Sequence, residues 1–558
     1  FFVSMASSNE KIDGPPPLQF TLIIPKKGSE TYEWSGKEDE KPVERTELAK
    51  ENVERFLYSD DGKKLALLDK KGIFVMDSES GQQICRVACE NVNMMAFSPL
   101  ANYLVTWRHW RKAEAEAGIG NLAVWRLTDY DQEEKKTGSL VKDFVQKHFS
   151  SDSWPTIRWT ADEKVVARLV YSSCVHFWQD VEVGEGRPTH ALSLDKVANF
   201  SFSPDTKLYK FAVFVPDLKG QPGFVKTFQY PALDNHISHL SMFNAQDVTF
   251  SWNLRGTSLL VTTISDFDST GSSYYGKNML YFMPIRGEPA RVPLKDTEGG
   301  VYSANWKPNG RQFLVIYGYP AKATIFNQKL EPVIDFGAAP RNVSLWQPTG
   351  QLVAIAGFGA LQGDVDIWDP QALKRVGATN AHGSAHCQWS PDSKFILTGV
   401  LSTKLQVDNE YKIRDYTGKV VIDQKMPDKL QQIEWRPATY GVYPFERLQF
   451  NYISADHVQK KQTADSGSAS GRTAGKYRHP NWKKDSIQLS HRPVDSTGPK
   501  KYVPSSRRAR GSTSRIPGDT RRIPGDTRRI PGDTRPIPGD TGKKPRRGRR
   551  GRGRGAKK

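Results

Sequence analysis

The last sixteen residues, KKPRRGRRGRGRGAKK, carry ten cations and no acid: Lys543, Lys544, Arg546, Arg547, Arg549, Arg550, Arg552, Arg554, Lys557 and Lys558. Guanidinium forks grip phosphate oxygens in pairs, and the intervening glycines let the backbone follow an irregular polyanion. Residue types in this pattern point to RNA contact without strong sequence preference. Arg507, Arg508 and Arg510 extend the basic character upstream. Aromatic rings that could stack on bases are sparse, with Tyr477, Trp482 and Tyr502 the nearest. If six to ten phosphates are engaged, affinity should fall roughly a thousandfold between 50 and 200 mM salt. A nuclear-import signal is the plainer alternative for such an end.

Ahead of this run, Ile-Pro-Gly-Asp-Thr is written four times between Arg515 and Gly542. Pro followed by Gly signals a type II turn, the glycine taking the positive φ. Proline at every seventh position forbids a helix and excludes a coiled-coil heptad. With little apolar surface to bury, the segment is expected to be disordered and to act as a spacer. Near-perfect copies can also arise by slippage with no selected task.

Other chemistry is poorly represented. No Gly-Lys-Ser/Thr phosphate loop, Gly-x-Ser-x-Gly elbow or His-Glu-x-x-His pair occurs. AHGSAHC offers His382, His386 and Cys387 as metal ligands, but no nearby residue supplies a fourth. Cys85 and Cys89 have no second pair. These groups are read as structural, so the expectation is a protein without catalytic residue, cofactor or metal. Four cysteines in 558 residues argue against a disulfide framework and for a reducing compartment.

Charge divides the chain. Residues 456–558 hold 29 Lys+Arg and 8 Asp+Glu, a net of +21, within a total of +19, so the remainder is close to neutral at −2. A basic arm on a neutral body suits a polyanionic partner, nucleic acid before an anionic membrane. No run of 18 apolar residues and no signal peptide is recognisable. Met5 reads as the natural start, with Phe1 to Ser4 upstream of it.

The body must position whatever the arm serves, and it repeats. An apolar run ends in an aromatic, a small, polar or basic residue follows, then a turn and a second apolar run. The aromatic marks are Tyr58, Phe97, Trp159, Phe202, Trp252, Trp306, Trp346, Trp389 and Trp435, spaced 39, 62, 43, 50, 54, 40, 43 and 46 residues apart. Each unit fits a hairpin with further strands behind it, and four short strands per 40–50 residues is the period of a propeller blade. The predicted fold is all-β: a WD-type β-propeller of nine blades, the last completed by LQFTLII and TYEWSG from the N-terminus. A sandwich or two smaller propellers are the alternatives. The long interval is expected to hold surface insertions at 108–120 and 129–139. In the first, Arg108, Arg111 and Lys112 are candidate ring-face contacts. The loop SDFDSTGSSYYGK (265–277) offers Asp266, Asp268, Tyr274 and Tyr275, since long loops on rigid scaffolds often carry recognition.

The stretches YPAKATIFNQKLEPVIDFGAAPRNVSLWQPTGQLVAIAGFGALQGDVDIWD (319–369), SDFDSTGSSYYGKNMLYF (265–282) and VDNEYKIRDYTGKV (407–420) resemble the eukaryotic translation initiation factor 2A family. The similarity runs from about residue 20 to 455. It implies a nine-bladed propeller with a flexible basic C-terminal region. It also implies a cytoplasmic, non-enzymatic factor on the small ribosomal subunit, bringing initiator methionyl-tRNA to start codons without GTP, often at alternative starts. Implied partners are that subunit, initiator tRNA, messenger RNA and other initiation factors; the protein is expected to be a monomer without membrane contact. The tail departs from the Lys/Ala/Glu-rich helices usual in that family, although YVPSSRRARGS (502–512) keeps its Tyr-x-Pro linker. The expected organisation is a disordered 1–17, a propeller over 18–455, a basic linker over 456–514, turn repeats over 515–542 and a basic tail over 543–558. The alternative function is a propeller scaffold for protein complexes, its tail serving nuclear import or general RNA binding.

Overall fold

The structure is a computed structural model and describes residues 15–127, 137–170, 172–180, 182–218, 220–265, 278–295 and 299–453. Within them the chain forms nine antiparallel sheets. Eight are four-stranded meanders, the first from Arg55–Tyr58 to Gln83–Val87 and the eighth from His386–Trp389 to Val420–Lys425. The ninth joins both ends of the chain. Gln432–Trp435 pairs with Leu18–Ile24, which pairs with Gly28–Trp34, and the short strands Val43–Glu44 and Lys50–Glu51 flank the latter. The expected nine-bladed propeller, closed by its N-terminal strands, is therefore the fold; closure leaves no open edge at the join.

All nine aromatic marks are the last residue of the first strand of their blade. Their packing explains their type. Each packs its ring against the preceding blade, buried at Trp389 among Leu352, Ala354 and Ile367 and at Trp435 among Phe395, Leu397 and Ile413, partly buried at Phe97, Phe202, Trp252, Trp306 and Trp346. Three indoles also bridge blades by the same bond. Trp306 Nε1 donates to Ser251 O (2.9 Å), Trp346 Nε1 to Asn305 O (3.2 Å) and Trp389 Nε1 to Leu345 O (3.0 Å). In each case the acceptor is the residue just before the neighbouring blade's own mark.

The residue after the mark is polar for a different reason. In six blades its side-chain oxygen accepts the backbone N–H five residues on and so holds the first turn. These residues are Ser59, Ser98, Thr160, Asn253, Gln347 and Ser390, with distances from 2.9 to 3.1 Å. Such side-chain caps satisfy turn N–H groups that the ladder leaves unpaired. In the sixth blade Lys307 occupies this place and cannot accept.

Because every strand pair is antiparallel, the connections sort onto two faces of the ring. Turns between first and second strands share one face, the turn face, with those between third and fourth. Connections from second to third strands, and from blade to blade, lie on the opposite face. After Trp435 the chain does not leave. Residues 436–453 run back over the turn face as a strap. Pro437 O sits where a Cβ on Gly62 (φ +70°) would come within 1.9 Å. Further along, Lys394 pairs with Glu446 (2.9 Å), Gln351 Nε2 donates to Glu446 O (2.7 Å), and Tyr452 Oη donates to Asp369 (2.9 Å). Ile453 N donates to Arg375 O (3.0 Å). RLQFNYI, strand-like in sequence, is thus strap rather than strand.

Candidate RNA-facing surfaces

The insertion at 108–120 connects the second and third strands of the second blade, Tyr103–Arg108 and Leu122–Arg126. Residues 266–277 fall in the same type of connection in the fifth blade, between Ser258–Ile264 and Leu280–Pro284. Both insertions therefore depart from the same ring face. Asp266, Asp268, Tyr274 and Tyr275 lie outside the described residues, as do 129–136 of the insertion predicted at 129–139 and every tail residue predicted to bind RNA.

The first insertion holds one turn of helix, Lys112–Glu116, where a plain loop was expected. The helix arises because KAEAE is rich in good helix formers, and Gly118 at φ +76° ends it. The helical spacing pairs the cations. Glu114 meets Arg108 (3.1 Å) and Arg111 (3.6 Å), and Lys112 meets Glu116 (3.6 Å). Arg108 also donates to Gly120 O (3.1 Å). The three predicted contacts are thus brought together, but as a locally neutralised cluster. The exposed Lys112–Glu116 pair contributes about 0–1 kcal/mol, so an incoming phosphate can take Lys112 at small cost, whereas Arg108 and Glu114 are partly buried.

Residues 145–156, the crossing from the second blade to the third, pack beside this insertion and were not singled out in the sequence. Trp107 Nε1 reaches Gln146 O (3.4 Å), and Asn121 Nδ2 bonds Arg108 O (3.0 Å) and Gln146 O (2.9 Å). Trp107 lies edge-on to His109 (5.1 Å) and Phe149 (4.9 Å). Lys147, exposed, sits over the Trp110 ring at 4.9 Å. Arg158, on the first strand of the third blade, donates to Pro155 O (2.9 Å) and Ser153 O (3.1 Å), and burial pushes its guanidinium down to about 10. The result is a surface of aromatic rings, with Lys147, His109 and His148 among its exposed groups, suited to nucleic acid. The missed signal was the run KHFSSDSW, whose Lys, His and aromatics fall outside the repeat.

Of the candidate metal groups, His382 is exposed, while His386 and Cys387 are built into a strand. His386 and Cys387 are neighbours on one strand, so their side chains leave on opposite sides. Burial pushes the Cys387 thiol up to about 12 and the His386 imidazole down. His382 Nδ1 meets Gln362 O (3.3 Å). Cys85 is buried, with its thiol pushed up to about 11, and Cys89 Sγ is 3.8 Å from Thr106 Oγ1. Among the described residues no three His, Cys, Asp or Glu side chains gather as a metal would need, and no helix is long and apolar enough to cross a membrane.

Comparison with known proteins bears on the whole ring. A family model described as eukaryotic translation initiation factor eIF2A matches residues 240–433. Eukaryotic translation initiation factor 2A of Dictyostelium discoideum is 34% identical over 450 residues, covering 80% of this chain and 71% of that protein. The Schizosaccharomyces pombe protein of the same name is 32% identical over 475 residues, covering 83% and 79%. A solved structure described as the crystal structure of the eukaryotic initiation factor superposes with a TM-score of 0.64 at 31% identity, covering 76% of this chain and all of that one. With relatives this similar along a ring closed in this way, the chain belongs to the eukaryotic translation initiation factor 2A family.

Proposed function

We propose that this translation initiation factor works without catalysis, as a docking ring with a polyanion-binding arm, on the small ribosomal subunit in the cytoplasm. Its task in this reading is to bring initiator methionyl-tRNA to the start codon without GTP, including alternative start codons. The observation that carries the proposal is the similarity to initiation factors across the ring, which holds at 34% identity over 450 residues. The absence of a Gly-Lys-Ser/Thr loop from the sequence agrees with GTP-independent action. The ring supplies the specific surface in this reading, through Arg108, Arg111 and Lys112 and through Asp266, Asp268, Tyr274 and Tyr275. Residues 456–558 supply charge, through Arg507, Arg508, Arg510 and the ten terminal cations.

Purified full-length protein, small subunits, a start-codon messenger and labelled initiator methionyl-tRNA test this directly. The protein should raise the tRNA retained on subunits when GTP is omitted, and should itself co-sediment with them. Co-sedimentation without tRNA retention would remove the delivery role. Failure to bind subunits at all would favour the scaffold reading.

A further inference from the structure

On the turn face, the strap crosses a cleft of about 400 Å³ between the sixth and seventh blades. Its floor is the two first turns, with Lys307 and Asn309 on one side and Thr349 to Gln351 on the other. Its roof is Phe445, Arg447, Phe450 and Tyr452. The volume lies within the range of small-ligand sites.

Lys307 stands where six other blades carry a turn-holding acceptor. Its ammonium instead lies over the Trp346 ring at 5.4 Å. Burial lowers its pKa, the Asp369 charge working against this. No carboxylate lies within 4 Å of Lys307 or Arg447 among the described residues. Asp369, the cleft's own acid, is occupied: it accepts the Tyr452 hydroxyl (2.9 Å) and the N–H groups of Gln371 (2.8 Å) and Ala372 (3.2 Å). Among the described residues the cleft thus holds two cations with no carboxylate partner, Lys307 resting on the Trp346 ring, beside rings left in solvent. Phe445 is 63% exposed, and Tyr440, further back on the strap, 96%. Exposed rings on an anchored backbone, next to free cations, are the parts of a single-strand platform, in which bases stack and phosphates pair.

We infer that this cleft binds single-stranded RNA, a phosphate between Lys307 and Arg447 and a base on Phe445. RNA is favoured over an acidic peptide because the exposed rings offer stacking faces that carboxylates do not use. The choice of RNA as the anion also rests on the translational role proposed above.

The test uses full-length protein and a 4-thiouridine-substituted oligouridylate, crosslinked by ultraviolet light, with the attached peptides mapped by mass spectrometry. Crosslinks are expected in residues 440–452 as well as in the tail. Lys307→Ser combined with Arg447→Ser should reduce the strap crosslinks at least fivefold and leave those of the tail. Serine at 307 restores the acceptor that Ser59 and Ser390 supply, so this variant should fold. In anisotropy titrations the same variant should lower the log–log salt slope by about 0.7, the value for one phosphate on a single strand. Phe445→Ala should weaken binding roughly tenfold without changing that slope.

Crosslinks confined to the tail, or unchanged in the double variant, would overturn the inference. So would polyglutamate displacing the strap crosslinks as well as unlabelled RNA does, since that would mark an acidic-peptide surface. Small-subunit co-sedimentation of the unaltered full-length protein, set beside its own crosslink map, separates the two readings. Pelleting without strap crosslinks removes the cleft and leaves the initiation role; strap crosslinks without pelleting do the reverse.

Discussion

The marks that define the blades do two jobs with one side chain. Trp389 fills the space against the seventh blade and donates its indole N–H to Leu345 O. Trp389→Phe should keep most of the packing and lose the bond, lowering stability by about 1 kcal/mol. Trp389→Ala should cost about 3–5 kcal/mol, because a cavity opens as well; the shift in urea midpoint of each variant measures this. Glu434, one residue before the last mark, is a liability of the same strand. Burial raises its carboxyl pKa, so the folded chain holds that proton more tightly than the unfolded chain does. The stability tied to the protonated form is therefore lost as pH rises through the raised value. Glu434→Gln should raise the melting temperature at neutral pH, and the gain should shrink as pH falls towards the ordinary carboxylate range; an equal gain at all pH values would remove this explanation. The marks were legible in the sequence because an aromatic followed by a polar residue recurs with a blade's spacing. The role of Lys307 was not, since its oddity shows only once Ser59, Thr160 and Gln347 are seen holding their turns. Nor was the neutralisation of Arg108, which comes from Glu114 on a helical turn that the loop reading omitted.

At the scale of elements, closure depends on strands from opposite ends of the ring sequence. Leu18–Ile24 pairs with Gln432–Trp435, with Phe20 against Trp435 at 5.4 Å, edge-on. At the join to the first blade Gln432 Nε2 donates to Phe56 O (3.0 Å) and Gln432 Oε1 accepts from Phe56 N (3.2 Å), beside Gln431 Nε2 donating to Glu54 O (3.0 Å) and Arg436 Nε to Gly62 O (2.7 Å). Gln432→Leu leaves both backbone groups unpaired and should destabilise the ring by about 2 kcal/mol or more, read as a lower urea midpoint and faster amide exchange at Phe56. The closing strands could be assigned from sequence because LQFTLII precedes the first full unit while the last unit is short. The strap could not. RLQFNYI alternates like a strand, yet every neighbouring sheet is already complete, so it lies across the blades instead. Leu448 and Phe450 pack against the core of the seventh blade and hold it there. Leu448→Asp should release the strap and speed tryptic cleavage after Arg447, while cleavage elsewhere in the ring keeps its rate.

At the scale of the whole molecule, the two faces have different equipment. One carries the 108–120 insertion and the 145–156 crossing, and the fifth-blade strands Ser258–Ile264 and Leu280–Pro284 meet it at the ends that flank 266–277; the other carries the strap. In the proposed reading a near-neutral ring and a segment of net charge +21 divide specificity from affinity: the ring would read a partner by shape and placed side chains, and the segment's arginines would hold a phosphate backbone in a salt-dependent way. The fold and the family were legible because residue order along the blades is retained over most of the ring. Contact residues were less so, since whether a cation is free depends on what folds beside it. The central claim is that the ring is the specific reader and the tail an electrostatic arm. Small-subunit co-sedimentation of the full chain against a chain ending at residue 455, across a salt series, tests it most directly. The account predicts that the shortened chain still pellets, with a shallow salt dependence, and that the tail adds affinity that salt removes. Loss of all binding with the tail would contradict it.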